Sequence, residues 1–135
     1  MSGLSIIQND REFGVPQEAT VISKLALHFD EPIKKELAQY SKWDASSPTT
    51  KYEIKSRRNK YKQYPTTIIP VDKTEVTGRL VFVFNFLDKL CYIVYTKETF
   101  SQYEIRDIPA FRGVGLRTLK PHYMIPIEDL TEIKI

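Results

Sequence analysis

Two nearly continuous apolar runs, Leu80-Val81-Phe82-Val83-Phe84-Asn85-Phe86 and Leu90-Cys91-Tyr92-Ile93-Val94-Tyr95, constrain this chain more than any other feature. Both are rich in β-branched and aromatic residues, which suit a pleated, packed surface. Leu87-Asp88-Lys89 between them reads as a turn, so the pair predicts a hairpin. Apolar residues fill both alternating sets of each strand, so both faces of this hairpin must be covered by helices or loops. A chain of 135 residues can supply that cover within one domain, 1–135. Asn85 and Asp88-Lys89 interrupt the longest apolar stretch, so no segment is expected to span a membrane.

The elements around this hairpin follow from local patterns. Residues 1–10 read as an arm or the entry to a first helix. From Val15 the pattern becomes helical: Pro16 suits a first-turn position, and Ile22, Leu25, Ala26 and Phe29 follow at three- and four-residue spacing. The helix should stop near Asp30-Glu31-Pro32, because the residue before proline resists helical geometry. Ile33, Leu37 and Tyr40 fit a helix or a strand equally well. A strand over 41–44, a turn at Ala45-Ser46-Ser47-Pro48 and a strand from Tyr52 to Arg57 predict a second hairpin. The prolines of Ile68-Ile69-Pro70-Val71 and Tyr64-Pro65 mark a connector or edge strand. Thr96 is placed to cap a short helix running to Tyr103. Pro109, Gly113, Gly115 and Pro121 make 104–124 read as loop, and Met124 to Ile127 as a last strand before a terminal turn.

The single cysteine, Cys91, cannot form an internal disulfide, which fits a reducing compartment. Met1 to Asp10 lacks a basic region followed by a long apolar block, so no signal peptide is expected. An intracellular location rather than secretion is therefore expected. The net charge is only +3, but its placement is uneven. Between Lys51 and Lys62 lie six basic residues, Lys51, Lys55, Arg57, Arg58, Lys60 and Lys62, against one acid, Glu53. A run of this kind serves either as a solvated loop or as a phosphate-binding tract. Thr66 and Thr67 can add hydroxyl donors to the tract, or serve only as turn residues beside Pro65. Arg106, Arg112, Arg117, Lys120 and His122 form a second basic cluster.

Several chemistries are excluded by residue type. His28 and His122 are far apart in sequence and there is one thiol, so no zinc-ligand spacing exists. No Gly-rich phosphate loop precedes a helix. What remains is carboxylate chemistry with oxygen ligands, which selects magnesium or manganese. On a strand through Tyr52–Ser56, Glu53 and Lys55 share one face while Tyr52 and Ile54 share the other. Asp44 lies at the end of the neighbouring strand and converges on Glu53 if the two strands pair. Glu18 falls four residues before Ile22 and seven before Leu25, on the buried stripe of the first helix. A carboxylate there is costly unless paired, metal-bound or at the rim. Alternatively Glu18 sits in the first helical turn, where acids are favoured by the dipole.

Asp44, the Glu53-Ile54-Lys55 triplet and Glu18 in Gly14-Val15-Pro16-Gln17-Glu18 together resemble the PD-(D/E)XK nuclease superfamily, the restriction-endonuclease-like fold. Trp43 stands where the family's literal pattern has proline. The stretch Tyr52 to Thr67 is also similar in texture to small nuclease-like proteins of large DNA viruses and phages, which implies a place in the cytoplasm or nucleus of a host cell or in a virion. The resemblance spans roughly residues 11–96. It implies an α/β fold with a central mixed β-sheet flanked by helices, including a helix between the third and fourth core strands. Residues 60–79, where that helix would lie, contain two prolines and a glycine. It also implies Mg2+- or Mn2+-dependent hydrolysis of DNA phosphodiester bonds. Glu18, Asp44, Glu53 and Lys55 would be catalytic, with Asp44, Glu53 and Glu18 on the metal and Lys55 on the attacking water or the phosphate. Arg57, Arg58, Lys60, Lys62, Thr66 and Thr67 are the expected DNA contacts. A second Glu-Ile-Lys, at 132–134, is set aside because the chain as given ends one residue later. The alternative function is a non-catalytic nucleic-acid-binding or virion structural protein that keeps the fold. A chain this small, with no evident target-recognition domain, points to relaxed specificity, a homodimer or a component of a larger viral assembly.

Overall fold

The computed structural model describes residues 6–36, 43–112 and 116–134, and the side chains of 18–36, 43–109 and 118–134. The apolar hairpin is the middle of a mixed six-stranded sheet. Its strands, β5 (Arg79–Asn85) and β6 (Leu90–Val94), pair antiparallel with Phe82 opposite Ile93. Beside β5 and parallel to it lies β3 (Thr50–Ser56), with Glu53 opposite Phe82 and Ile54 opposite Val83. On the far side of β3 come the two-residue strands β2 (Ala45–Ser46) and β1 (Lys34–Lys35), both antiparallel. The short β9 (Thr131–Glu132) closes the opposite edge against β6. The order is β1-β2-β3-β5-β6-β9.

Each face of this sheet is covered, as its continuous apolarity requires. One face takes the helix α1 (Ile6–Phe29), whose Val21, Ile22 and Leu25 pack on Tyr52, Ile54, Val81 and Val83. The helix ends where the sequence indicates. Asp30 takes a left-handed φ of 52°, and the Glu31 N–H reaches the Ala26 carbonyl at 3.2 Å. Those are the features of a helix stop that satisfies orphan carbonyls. Its start differs, because the helix already runs from Ile6 and continues through Gly14 and Pro16. Glu18 is therefore in mid-helix, and the first-turn explanation of its position no longer applies.

The other face is covered by a second sheet, not by the flanking helix expected there. β4 (Thr66–Pro70), β7 (Glu104–Arg112) and β8 (Leu116–Pro126) form a three-stranded antiparallel layer in the order β4-β8-β7. Its Ile69 and Ile125 pack with Leu80, Phe82, Phe84 and Phe100. Phe100 ends the short helix α2 (Lys97–Phe100), which Thr96 caps by accepting from the Thr99 N–H at 3.2 Å. Residues 104–124, read from sequence as loop, are thus largely a long hairpin. Its prolines fit because Pro109 lies on the outer strand β7 and Pro121 lies beyond the reach of β4, which pairs only with His122–Pro126. At both places the strand has a partner on one side only, where proline is tolerated.

The connection from β3 to β5 holds β4 and a 3-10 turn, η1 (Val71–Thr74), and no α-helix. The predicted hairpin around residue 48 forms, but with its turn moved: Ala45 and Ser46 are strand and Ser47–Thr49 make the reversal. Leu37, Tyr40 and the rest of 37–42 lie outside the described residues. Among the described residues no helix is long and apolar enough to cross a membrane.

Candidate active site

β3 has a full neighbour on only one side. β2 pairs with Lys51 and Tyr52 and then stops, so the edge of β3 from Glu53 onward faces the segment before β2. Asp44 fills that gap. Its N–H donates to the Tyr52 carbonyl at 3.1 Å, and its carboxylate Oδ2 accepts from the Ile54 N–H at 2.7 Å. The side chain thus stands in for the next backbone acceptor of a strand. This fixes the Asp44 carboxylate beside the middle residue of the Glu53-Ile54-Lys55 triplet.

Glu53 and Lys55 share a face, as strand alternation requires. The Glu53 side chain is only 4% exposed, and the Lys55 ammonium lies 3.0 Å from its Oε2. A second lysine reaches the same oxygen: Lys73 of η1, at 3.3 Å. Sequence reasoning missed Lys73. It sits in the crossover segment among residues with no periodic pattern, and no local signal links it to Glu53.

Asp44 carries the clearest electrostatic signature. Burial, with the Glu53 carboxylate next in effect and Glu18 adding to it, raises its carboxyl from 3.8 to about 6. The Ile54 N–H and the Lys55 ammonium pull the other way. Asp44 therefore senses both Glu53 and Glu18. The helix that carries Glu18 packs on the Tyr52 and Ile54 face of β3, opposite the face of Glu53 and Lys55. Glu18 itself is partly buried and lies 3.9 Å from Lys35 of β1. Among the described residues, however, no three Asp, Glu, His or Cys side chains converge closely enough to form a ready metal-ligand group. A carboxyl pushed up by burial and by like charges is the kind of group whose ionised form a dication stabilises. Asp44 and Glu53, whose charge raises the Asp44 carboxyl, carry oxygen atoms of the donor type that a hard dication takes.

The expected DNA-contact residues divide into two groups. Arg57 turns inward: its Nη2 donates to the Ile68 carbonyl at 2.8 Å and its Nε to the Thr67 hydroxyl at 3.3 Å. Its guanidinium also lies 5.5 Å from the Phe84 ring centre, and burial lowers its pKa. Arg57 and Thr67, the latter buried, therefore bind β3 to β4. Arg58, Lys60 and Lys62 are exposed, and Thr66 is partly buried at the start of β4. The 59–63 segment rests on the turn of the apolar hairpin, where the Tyr61 N–H donates to Asp88 at 2.8 Å and Leu87 N–H to the Asn59 carbonyl at 3.1 Å.

Two cations of the second basic cluster are compensated. Arg106 pairs with Glu104 at 2.6 Å and Lys120 with Asp72 at 3.0 Å. His122 is buried with Nδ1 2.8 Å from the Lys120 carbonyl. The side chains of Arg112 and Arg117 lie outside the described residues.

Comparison with models of protein families, with curated proteins and with solved structures returns no match to this chain.

Proposed function

We propose that this chain is a metal-dependent nuclease of the PD-(D/E)XK type, with Asp44, Glu53 and Lys55 at its centre and Mg2+ or Mn2+ as its cofactor. One observation carries the reading. The Asp44 carboxylate is held against the backbone of the Glu53-Ile54-Lys55 triplet at 2.7 Å, on an edge of β3 that β2 leaves open. The order of elements supports it: a helix, an antiparallel run β1-β2-β3, then β5 parallel to β3. A restriction-endonuclease-like core has that order, with β4 and η1 here in place of its second helix.

In this reading Asp44 and Glu53 would hold the ion, and Glu18 would contribute negative charge behind them. The ion supplies charge stabilisation at the phosphate and lowers the pKa of water. The Lys55 ammonium neutralises the phosphate or orients the attacking water. Water attacks phosphorus and gives up a proton to solvent, one P–O ester bond breaks, and the leaving oxygen takes a proton from solvent. Arg58, Lys60 and Lys62, on the segment that continues β3, hold the flanking phosphates.

A second reading is a non-catalytic nucleic-acid-binding protein on the same scaffold. It is favoured by the two ammonium groups already neutralising Glu53 at 3.0 and 3.3 Å. Incubation with supercoiled, single-stranded and branched DNA separates the two. Strand breaks that need Mg2+ or Mn2+ and stop with chelator support the nuclease. Salt-sensitive binding without breaks in any metal supports the binder.

A further inference from the structure

We propose that the cavity at the entry to β3 and β5 takes up one unpaired base of the strand being cut, which makes unpaired DNA, not intact duplex, the substrate form. The inference rests on the nuclease reading of the Asp44, Glu53 and Lys55 centre and deepens it.

The cavity has a volume of about 380 Å³ and lies between the Ser47–Thr49 reversal and the start of β5. Its walls include Glu36, Trp43, Lys51, Thr77 and Arg79. That size falls within the range of small-ligand pockets, about 300–1,000 Å³. It adjoins the candidate active site by several routes. Trp43 directly precedes Asp44. The Glu36 N–H donates to the Asp44 carbonyl at 3.0 Å. Lys51 stands two residues before Glu53 on the same face of β3, one pleat repeat of about 6.6–6.8 Å away. That repeat matches the reach from a backbone phosphate to the base it carries. A phosphate held at the centre therefore leaves an adjoining base at the cavity.

The lining suits a base better than a second phosphate. Trp43 brings an aromatic ring, on which any base stacks whatever its identity. The Glu36 carboxylate, held by a hydrogen bond from the Ser46 hydroxyl, accepts a base N–H but repels a phosphate. Lys51 and the Thr77 hydroxyl can donate to base carbonyls and ring nitrogens. Arg79, the other cation of the walls, is engaged with the protein: its Nη1 donates to the Thr50 hydroxyl at 3.1 Å, and its guanidinium lies 5.5 Å from the Phe29 ring centre. Every base presents both donors and acceptors, and these walls answer both. A base in a duplex is stacked and has its pairing edge occupied, so it enters such a cavity only after extrusion. A base in a single strand or beside a branch avoids most of that cost.

Trp43 is the only tryptophan of the chain, so its emission reports on the cavity directly. The test titrates the full chain, with metal chelated so that no strand is cut, against a short single-stranded oligonucleotide, the same backbone with every base removed, and the matching duplex. Anisotropy of a label on the DNA gives the affinities. The single strand should shift Trp43 emission and bind about tenfold more tightly than the abasic strand. Trp43→Ala should weaken single-strand binding about tenfold and leave duplex binding unchanged, while Trp43→Phe, which keeps a ring, should lose less. Equal affinity for the normal and abasic strands, unchanged Trp43 emission with the single strand bound, or equal losses on single strand and duplex in Trp43→Ala would overturn the inference and leave the nuclease reading standing. Failure of wild type to bind any of these DNAs would overturn both. The abasic comparison uses wild type alone, so it decides the question even where thermal melts show Trp43→Ala to be unfolded.

Discussion

The carboxylate of Asp44 accepts the Ile54 N–H at 2.7 Å, so a side chain completes the edge of β3 where the neighbouring strand has ended. This contact has a structural consequence that is separable from chemistry. In Asp44→Ala the Ile54 N–H loses its acceptor, which should cost about 1–3 kcal/mol. Asp44→Asn keeps an acceptor oxygen and should not. Urea denaturation of the two variants at pH 5 checks this, and equal losses would contradict it.

The same residue sets a pH dependence. The folded Asp44 carboxyl titrates at about 6, against 3.8 for its ordinary value. The folded chain therefore holds a proton that the unfolded chain has already released. Stability should fall as pH rises from about 4 to about 6 and remain lower above that. Allowing for the partial exposure of Asp44, the effect is roughly 1–2 kcal/mol. Asp44→Asn removes it, so its melting temperature at pH 7.5 should exceed wild type by roughly 3–6 °C, with little difference near pH 4. A difference that does not vary with pH would show that burial of Asp44 is not the cause.

Arg57 and the pair Lys60/Lys62 should behave oppositely, although they belong to one basic run. Arg57→Ala removes the donors to Ile68 and Thr67 and should destabilise the fold by about 2–4 kcal/mol, as loss of a partly buried charged hydrogen-bond donor does. Lys60→Ala with Lys62→Ala should leave the melting temperature within about 2 °C. It should reduce the salt dependence of DNA binding by roughly two phosphate contacts. Filter binding across a range of salt concentrations, with melts alongside, distinguishes the two outcomes.

Phe100 joins the two sheets. It is fully buried and lies 4.8–5.9 Å, ring centre to ring centre, from Tyr95, Tyr123, Tyr103 and Phe82. Phe100→Ala should cost about 3–5 kcal/mol. A loss below about 1 kcal/mol would mean that the second sheet contributes little to the core.

What was legible in the sequence depended on whether a pattern was local. The β5–β6 hairpin announced itself because burial on both faces leaves only apolar residues in the run. Glu53 and Lys55 could be placed together because a strand alternates, and Asp44 could be placed near them because a hairpin returns the chain. The β7–β8 hairpin was hidden, since Pro109 and Pro121 forbid most strand positions and only tertiary context shows that these two are permitted ones. The start of α1 was hidden by Gly14 and Pro16, which normally punctuate a helix. Arg57 looked like its neighbours in charge, and only its position under β4 reveals that it points inward. Lys73 could not have been found at all, because its partner is supplied by a crossover whose path no residue pattern records.

The central claim, that Asp44, Glu53 and Lys55 form a metal-dependent phosphodiesterase centre, is tested most directly by single-turnover cleavage of labelled DNA in Mg2+ or Mn2+. Wild type is compared with Lys55→Ala at matched DNA occupancy. Wild type should cleave, and Lys55→Ala should be slower by about a hundredfold or more with DNA still bound. Cleavage that proceeds equally in the variant, or no cleavage by wild type in either metal, would contradict it.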